Sequence, residues 1–194
     1  MLRLSEPPFT SQCNHAEQCQ RLRRQLEGLL SSQSPAGARQ AVEDYRRAVA
    51  LAPGDWVLRR KMADLQLKAN DLSGAESSMR SAIELIPHDS LGHLELGLAL
   101  VQARRTAEAI GEFEQILHDD PASVPGLNAL ALALNELGKR QEAIGKLEAA
   151  LRVKPNSANT HLNLGTAMEA AGRKEEAREH FRKALQDKLG TPEL

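Results

Sequence analysis

The chain has 194 residues, of which 41% are hydrophobic and 26% are charged, and its formal net charge is −1. This balance argues against global disorder and provides no basic excess for nucleic acid or an anionic membrane surface. Aromatic residues make up only 3%, while leucine and alanine dominate the apolar residues. Because these two residues favour helices, we expect an all-α protein, and no apolar run is long enough to suggest membrane insertion.

The N-terminal part of the chain differs from the rest. Residues 1–13 contain Pro7 and Pro8 and are expected to be extended or mobile, with no secretory h-region. Apolar residues spaced three to four apart then predict a helix over residues 15–32. We expect a cytoplasmic protein as the sequence is written, although a fragment of a longer exported or membrane protein would look the same. Cys13 and Cys19 are expected to be free thiols.

A period of 34 residues organises the remainder. Four prolines mark it, at Pro53, Pro87, Pro121 and Pro155. An alanine precedes each proline by twelve residues, and the series continues once more: Ala41, Ala75, Ala109, Ala143 and Ala177. Such a period predicts a stack of similar units, each burying its apolar face against its neighbours. The predicted units are a degenerate first repeat over residues 14–55, then 56–89, 90–123, 124–157, and a last repeat with a polar end, 158–194.

Each unit is predicted to be a helix pair. Proline disfavours helical geometry in the residue before it, so the four prolines should follow the second helices. Residues that cap helix N-termini come shortly after these prolines, at Asp55, Asp89, Ser123 and Ser157. Ser34 and Pro35 form a similar start for the second helix of the first unit.

The third and fifth units carry a recognisable pattern. The third has Leu96, Gly97, Ala109, Phe113 and Pro121 at fixed offsets, and the fifth has the equivalent leucine–glycine pair, alanine and phenylalanine. In this pattern the sequence resembles the tetratricopeptide repeat family over about five units, residues 22–189. The resemblance implies a right-handed α-solenoid of antiparallel helix pairs, in which the first helices line a concave groove.

Mapped onto this chain, the resemblance places a partner-binding groove on the first helix of units two to five. The groove candidates are Arg60, Asp64, Lys68, Leu91, Leu94, Leu98, Val101, Asn128, Leu132, Asn135, Asn159, Leu162 and Thr166. Some family members hold a terminal carboxylate with basic residues and asparagines, but Asp64 and the leucines argue against that clamp here. The asparagines are candidates for binding an extended peptide backbone, or else are solvated polar positions.

The first helix of the third unit supports this placement independently of the family. It carries a packing stripe and a second apolar stripe, formed by Leu91, Leu94, Leu98 and Val101. The second stripe is either buried against neighbouring first helices or exposed as the floor of a groove. The same unit has a net charge of −4, so an acidic band is also expected there.

No arrangement of residues suggests catalysis. The six histidines lack metal-binding spacing, and no glycine-rich phosphate loop occurs. His93 and His161 are expected to pack between helices. We therefore expect no enzyme, no cofactor and no metal, but a scaffold or adaptor that binds a peptide or helix of a partner protein. The alternatives are a repeat region excised from a larger protein, which presents substrates or assembles a complex, and a self-associating module that forms a homo-oligomer.

Overall fold

A computed structural model describes residues 35–189, and within this range the chain forms helices and no strands. The helices, in chain order, are α1 (Pro35–Leu51), α2 (Trp56–Lys68), α3 (Leu72–Ile83), α4 (Ser90–Gln102), α5 (Thr106–Asp119), α6 (Val124–Glu136), α7 (Arg140–Val153), α8 (Ala158–Ala170) and α9 (Lys174–Leu189). The predicted segment 1–13 and the predicted helix over residues 15–32 lie outside the described residues.

The helices belong to two compact units. Unit 1 extends to Pro87 and contains α1 to α3, whereas unit 2 starts at His88 and contains α4 to α9. Within unit 2 the helices form three antiparallel pairs, α4 with α5, α6 with α7, and α8 with α9. The second helix of one pair also packs against the first helix of the next. This arrangement is the all-α stack of helix pairs that the 34-residue period predicts.

Helix starts follow the predicted caps. The side chain of Asp55 accepts hydrogen bonds from the backbone N–H groups of Val57 and Leu58 at 3.1 and 3.3 Å. Asp89 and Ser123 cap α4 and α6 in the same way, and Ser157 caps α8. Each cap satisfies amide groups that the first turn of a helix leaves without a partner.

The turn inside each helix pair uses one left-handed residue at a fixed place in the repeat. Gly138 and Gly172 have φ angles of 78° and 81° there, but Asn70 and Arg104 occupy the equivalent places with φ angles of 61° and 62°. The amide of the following residue then bonds back into the first helix, as from Arg105 to the carbonyl of Leu100 at 2.8 Å. Arginine is strained in this conformation, whereas glycine is not.

In two of the helix pairs, α4 with α5 and α8 with α9, the core forms where an aromatic ring of the second helix packs on the first. Phe113 and Ala109 are fully buried. A Cβ atom on Gly97 would lie only 2.7 Å from Cζ of Phe113 and 2.8 Å from its Cδ1 atom. The glycine therefore makes room for a ring rather than for a helix backbone. Gly165 and Phe181 repeat the arrangement in the last pair, where a Cβ atom would lie 2.5 Å from the ring.

Candidate interaction groove

The first helices of unit 2 lie side by side, because α6 contacts both α4 and α8. Their packing faces are buried against the second helices, and another face of each remains accessible. Four leucines on that face are between 43% and 51% exposed. They form a row across the three helices, called here the leucine strip: Leu91, Leu98, Leu132 and Leu162.

The leucine strip resolves the alternatives for the second apolar stripe of α4. Leu91 and Leu98 are exposed, whereas Leu94 and Val101 are half-buried. The stripe is therefore partly packed and partly an accessible floor. Leu98 and Leu132 stand at the same place in successive repeats, 34 residues apart, so the apolar surface continues from α4 to α6. Leu162 extends it to α8, one helical turn nearer the N-terminal end.

The predicted groove residue Asn128 is already engaged within the protein. Its Nδ2 atom donates to the carbonyl of Val124 at 2.8 Å and to the hydroxyl of Thr160 at 2.9 Å. Its Oδ1 atom accepts from Nδ2 of Asn163 at 3.1 Å. Thr160 is fully buried and also bonds the hydroxyl of Ser157 at 2.8 Å. Asn128 thus joins α6 to α8 instead of presenting a free amide.

The role of Thr160 and Asn163 was not predicted. Thr160 stands where the two preceding units have Gly92 and Gly126, and all three residues are buried. A polar residue at a position that otherwise holds glycine was the available signal, but its partner lies 32 positions away in the sequence. Sequence spacing alone does not reveal that pairing.

The other polar groove candidates differ in whether their hydrogen-bonding groups are available to a partner. Thr166 donates its hydroxyl to the carbonyl of Leu162 at 3.0 Å, within its own helix. Asn159 is exposed. The Oδ1 atom of Asn135 is buried and has no hydrogen-bond partner among the described residues. Asn135 and Asn159 stand near opposite ends of their helices, so together they do not form a continuous row of amides.

The three first helices of unit 2 contain no lysine or arginine. Their only acidic residues are Glu95, Glu136 and Glu169, one on each helix. Glu169 is exposed, and Glu136 accepts a hydrogen bond from Thr106 at 2.9 Å. The first helices themselves therefore contribute negative but no positive charge to the groove.

The acidic band predicted for the third repeat lies mostly elsewhere. Its acidic residues other than Glu95 are on α5 or directly after it: Glu108, Glu112, Glu114, Asp119 and Asp120. Asp119 is paired with two exposed imidazoles, at 3.0 Å from His88 and 3.2 Å from His118. These hydrogen bonds lower the pKa of the Asp119 carboxyl. The band belongs to the second helix and does not form part of the leucine strip.

The remaining groove candidates belong to unit 1, on α2. Arg60 and Asp64 are half-buried and Lys68 is exposed. The guanidinium of Arg60 lies 5.4 Å from the centroid of the Trp56 ring, a cation–π distance. Burial raises the pKa of the Asp64 carboxyl, while Arg60 and Lys68, together with a third cation, act in the opposite direction. This face is charged, in contrast to the leucine strip.

The two histidines at equivalent repeat positions pack between helices, as predicted. Nδ1 of His93 is 2.8 Å from a carboxylate oxygen of Glu112. Nε2 of His161 lies 3.0 Å from the carbonyl of Pro155, to which it donates. Its Nδ1 atom lies 3.0 Å from Nδ1 of His180, within hydrogen-bond distance. Burial, followed by the nearby charge of His161, lowers the pKa of His180.

Residues 35–189 contain neither a metal-binding cluster nor a membrane-spanning helix. No three histidine, cysteine or acidic side chains in this range are grouped so that they could hold a metal ion. None of the helices described there has the length and apolar character required to cross a membrane.

Comparisons with known proteins agree with the geometry. The family described as "Tetratricopeptide repeat" matches residues 60–124 and 128–190, which is most of the chain. Comparison with curated proteins gives no match.

Solved structures similar to this chain share its fold at low sequence identity. The MamA 41-end structure from Desulfovibrio magneticus RS-1 is 18% identical, with a TM-score of 0.75 over 90% of this chain and 97% of that one. The PilF structure from Pseudomonas aeruginosa is 18% identical, with a TM-score of 0.73 over 90% of this chain and 78% of that one. YrrB, described as a TPR protein with an unusual peptide-binding site, is 16% identical, with a TM-score of 0.63 over 79% of each chain.

Proposed function

Because the chain belongs to the tetratricopeptide repeat family, we propose that it is a protein-interaction module without catalytic activity, and that the leucine strip holds a segment of a partner protein. The observation that carries this proposal is the row of four half-exposed leucines on three adjacent helices. Accessible apolar patches of this kind mark interaction sites, whereas single exposed leucines need no explanation.

The leucine strip supplies only part of the energy that specific binding requires. Complete burial of a leucine side chain contributes about 1.5–3 kcal/mol, so the exposed half of each strip leucine contributes roughly 1 kcal/mol. Four such contacts give a gross contribution of about 4 kcal/mol before the entropy lost on association. The strip therefore acts as the apolar centre of an interface, and polar contacts around it set specificity. The peptide-binding site named for YrrB supports a peptide as the occupant.

A charge-introducing double variant tests this site. Leu98→Glu with Leu132→Glu places two carboxylates in the strip without removing a fully buried side chain, since both residues are 43% exposed. We expect loss of partner binding, measured by affinity capture with quantitative mass spectrometry, and an unchanged helical circular dichroism spectrum. Leu185→Glu is the matched control, because Leu185 is 62% exposed on the second helix α9. Equal loss with the control variant, or no loss with the double variant, would place the site elsewhere.

Self-association through the strip is the alternative occupant, and it would make the module a homo-oligomer. Light scattering over a range of protein concentrations distinguishes self-association from binding of a different protein. A mass that stays monomeric at high concentration excludes self-association and leaves a partner protein. A third alternative, a repeat region that serves a larger protein, predicts that the strip binds another segment of that same protein.

A further inference from the structure

The chemistry of the leucine strip also indicates which kind of segment it binds. A partner segment could cover the strip either as an extended strand or as an α-helix. The two conformations differ in the number of hydrogen-bonding groups that they require from the groove. An extended segment has unpaired backbone N–H and C=O groups along its length, whereas a helix satisfies its own. The polar groups that line the groove therefore favour one occupant over the other.

The groove offers few hydrogen-bonding groups for an extended backbone. Both amide hydrogens of Asn128 and its oxygen are used within the protein. The Thr166 hydroxyl hydrogen is donated to its own helix. Asn135 and Asn159 remain, but Asn135 lies near the end of α6 and Asn159 near the start of α8. Their places within the repeat differ by ten residues, which corresponds to a separation of about 15 Å along the helix axes. Leucines, which form no hydrogen bonds, occupy the surface between them.

The spacing of the strip suits a helix. Neighbouring packed helices lie about 8–10 Å apart, so α4, α6 and α8 present their leucines at intervals of roughly that length. Along an α-helix, residues seven apart are separated by about 10.5 Å and lie nearly on one face. A partner helix with apolar residues at i, i+7 and i+14 would place one on each of the three first helices.

The charges of the first helices indicate which charged residues the partner helix has beside its apolar face. The exposed acidic residues of the three first helices are Glu136 and Glu169, and these helices carry no basic residue. A complementary partner therefore has basic residues beside its apolar face, because acidic ones would be repelled. We propose that the leucine strip binds a basic amphipathic helix of a partner protein, one with a leucine-rich face flanked by lysine or arginine. This inference rests on the proposed function and specifies its ligand.

Three synthetic peptides test the proposal against the full chain. The first has about 21 residues, with leucines on one helical face and lysines beside them, enough for three heptads. The second has the same composition, with leucine at every other residue, which gives an apolar face only when extended. The third has the first pattern, with glutamate in place of each lysine. Binding is measured by fluorescence anisotropy, and helix formation by circular dichroism.

The first peptide should bind at least about tenfold more tightly than either of the others, gain helical signal on binding, and lose affinity for the Leu98→Glu, Leu132→Glu protein. Failure of the first peptide to bind, or equal or tighter binding of the second or third, overturns the proposal. So does self-association that the first peptide cannot compete away, since a second copy then occupies the strip.

The same experiment separates this inference from the proposed function. If the extended pattern binds best and its binding is lost in the Leu98→Glu, Leu132→Glu protein, the groove function stands and the helical ligand is wrong. If partner capture also survives that double variant, the strip is not the binding site and both proposals fail.

Discussion

The contact between Gly97 and Phe113 gives the most direct test of how the helix pairs are packed. In the variant Gly97→Ala, the new methyl group would lie 2.7 Å from Cζ of Phe113 and 2.8 Å from Cδ1, where ordinary contact begins at 3.4 Å. Phe113 is fully buried, so its ring cannot swing into solvent. The ring or the helix must move by more than half an ångström.

The expected net effect combines two opposing contributions. Overpacking of this size destabilises a core by about 1–3 kcal/mol. Replacing glycine by alanine inside a helix stabilises it by about 1 kcal/mol. We therefore expect Gly97→Ala to lower the free energy of unfolding by roughly 0–2 kcal/mol. The matched control is Gly111→Ala in α5, where a Cβ atom would meet nothing within 4 Å, so only the stabilising contribution of about 1 kcal/mol remains.

Urea denaturation of the two variants, followed by circular dichroism, measures the difference. The clash predicts that Gly97→Ala is less stable than Gly111→Ala by about 1–3 kcal/mol. It also predicts that Phe113→Leu destabilises the Gly97→Ala protein less than the wild type, because the two residues are coupled. Equal stability of the two alanine variants, or additive effects in the double-mutant cycle, would refute this account of the packing.

Two further predictions concern a turn and a histidine pair. Arg104→Gly should raise the free energy of unfolding by up to about 1 kcal/mol, measured by urea denaturation, because it removes the strain of a left-handed arginine; a destabilised variant would contradict this. For His180, the pKa is lowered from 6.5 in the folded state by burial and by His161, with Lys183 acting in the same direction and Glu179 and Glu148 opposing. The unfolded chain then binds the proton more readily, so stability is lost as the pH falls through about 6.5. Thermal unfolding at about pH 8 and about pH 5.5 should show a smaller loss in His180→Asn than in the wild type; an equal loss would remove His180 as the cause.

The sequence predicts the fold of this protein well because the repeat makes each signal appear several times. The prolines at 34-residue intervals give the register, and each capping residue repeats it. The turn residue is less visible, since Asn70 and Arg104 stand where glycine occurs in later pairs. The structure shows that the left-handed backbone conformation repeats at this position even though the residue type does not.

The groove was harder to predict. The position of the leucine strip follows from the second apolar stripe of α4, but its exposure depends on how α4, α6 and α8 are spaced. The sequence suggested Asn128 as a group for binding a peptide backbone, whereas its hydrogen bonds to Thr160 and Asn163 use it to join two repeats. Such pairings depend on three-dimensional proximity, which residue spacing does not encode.

Site-specific photo-crosslinking tests the central claim most directly. A photoreactive amino acid replaces Leu132 in the strip in one protein and Leu185 on α9 in another; both leucines are exposed. We expect a covalent adduct with a partner protein from position 132, absent when Leu98→Glu is also present, and little adduct from position 185. Equal adducts from both positions, or an adduct from position 185 alone, would contradict binding at the leucine strip.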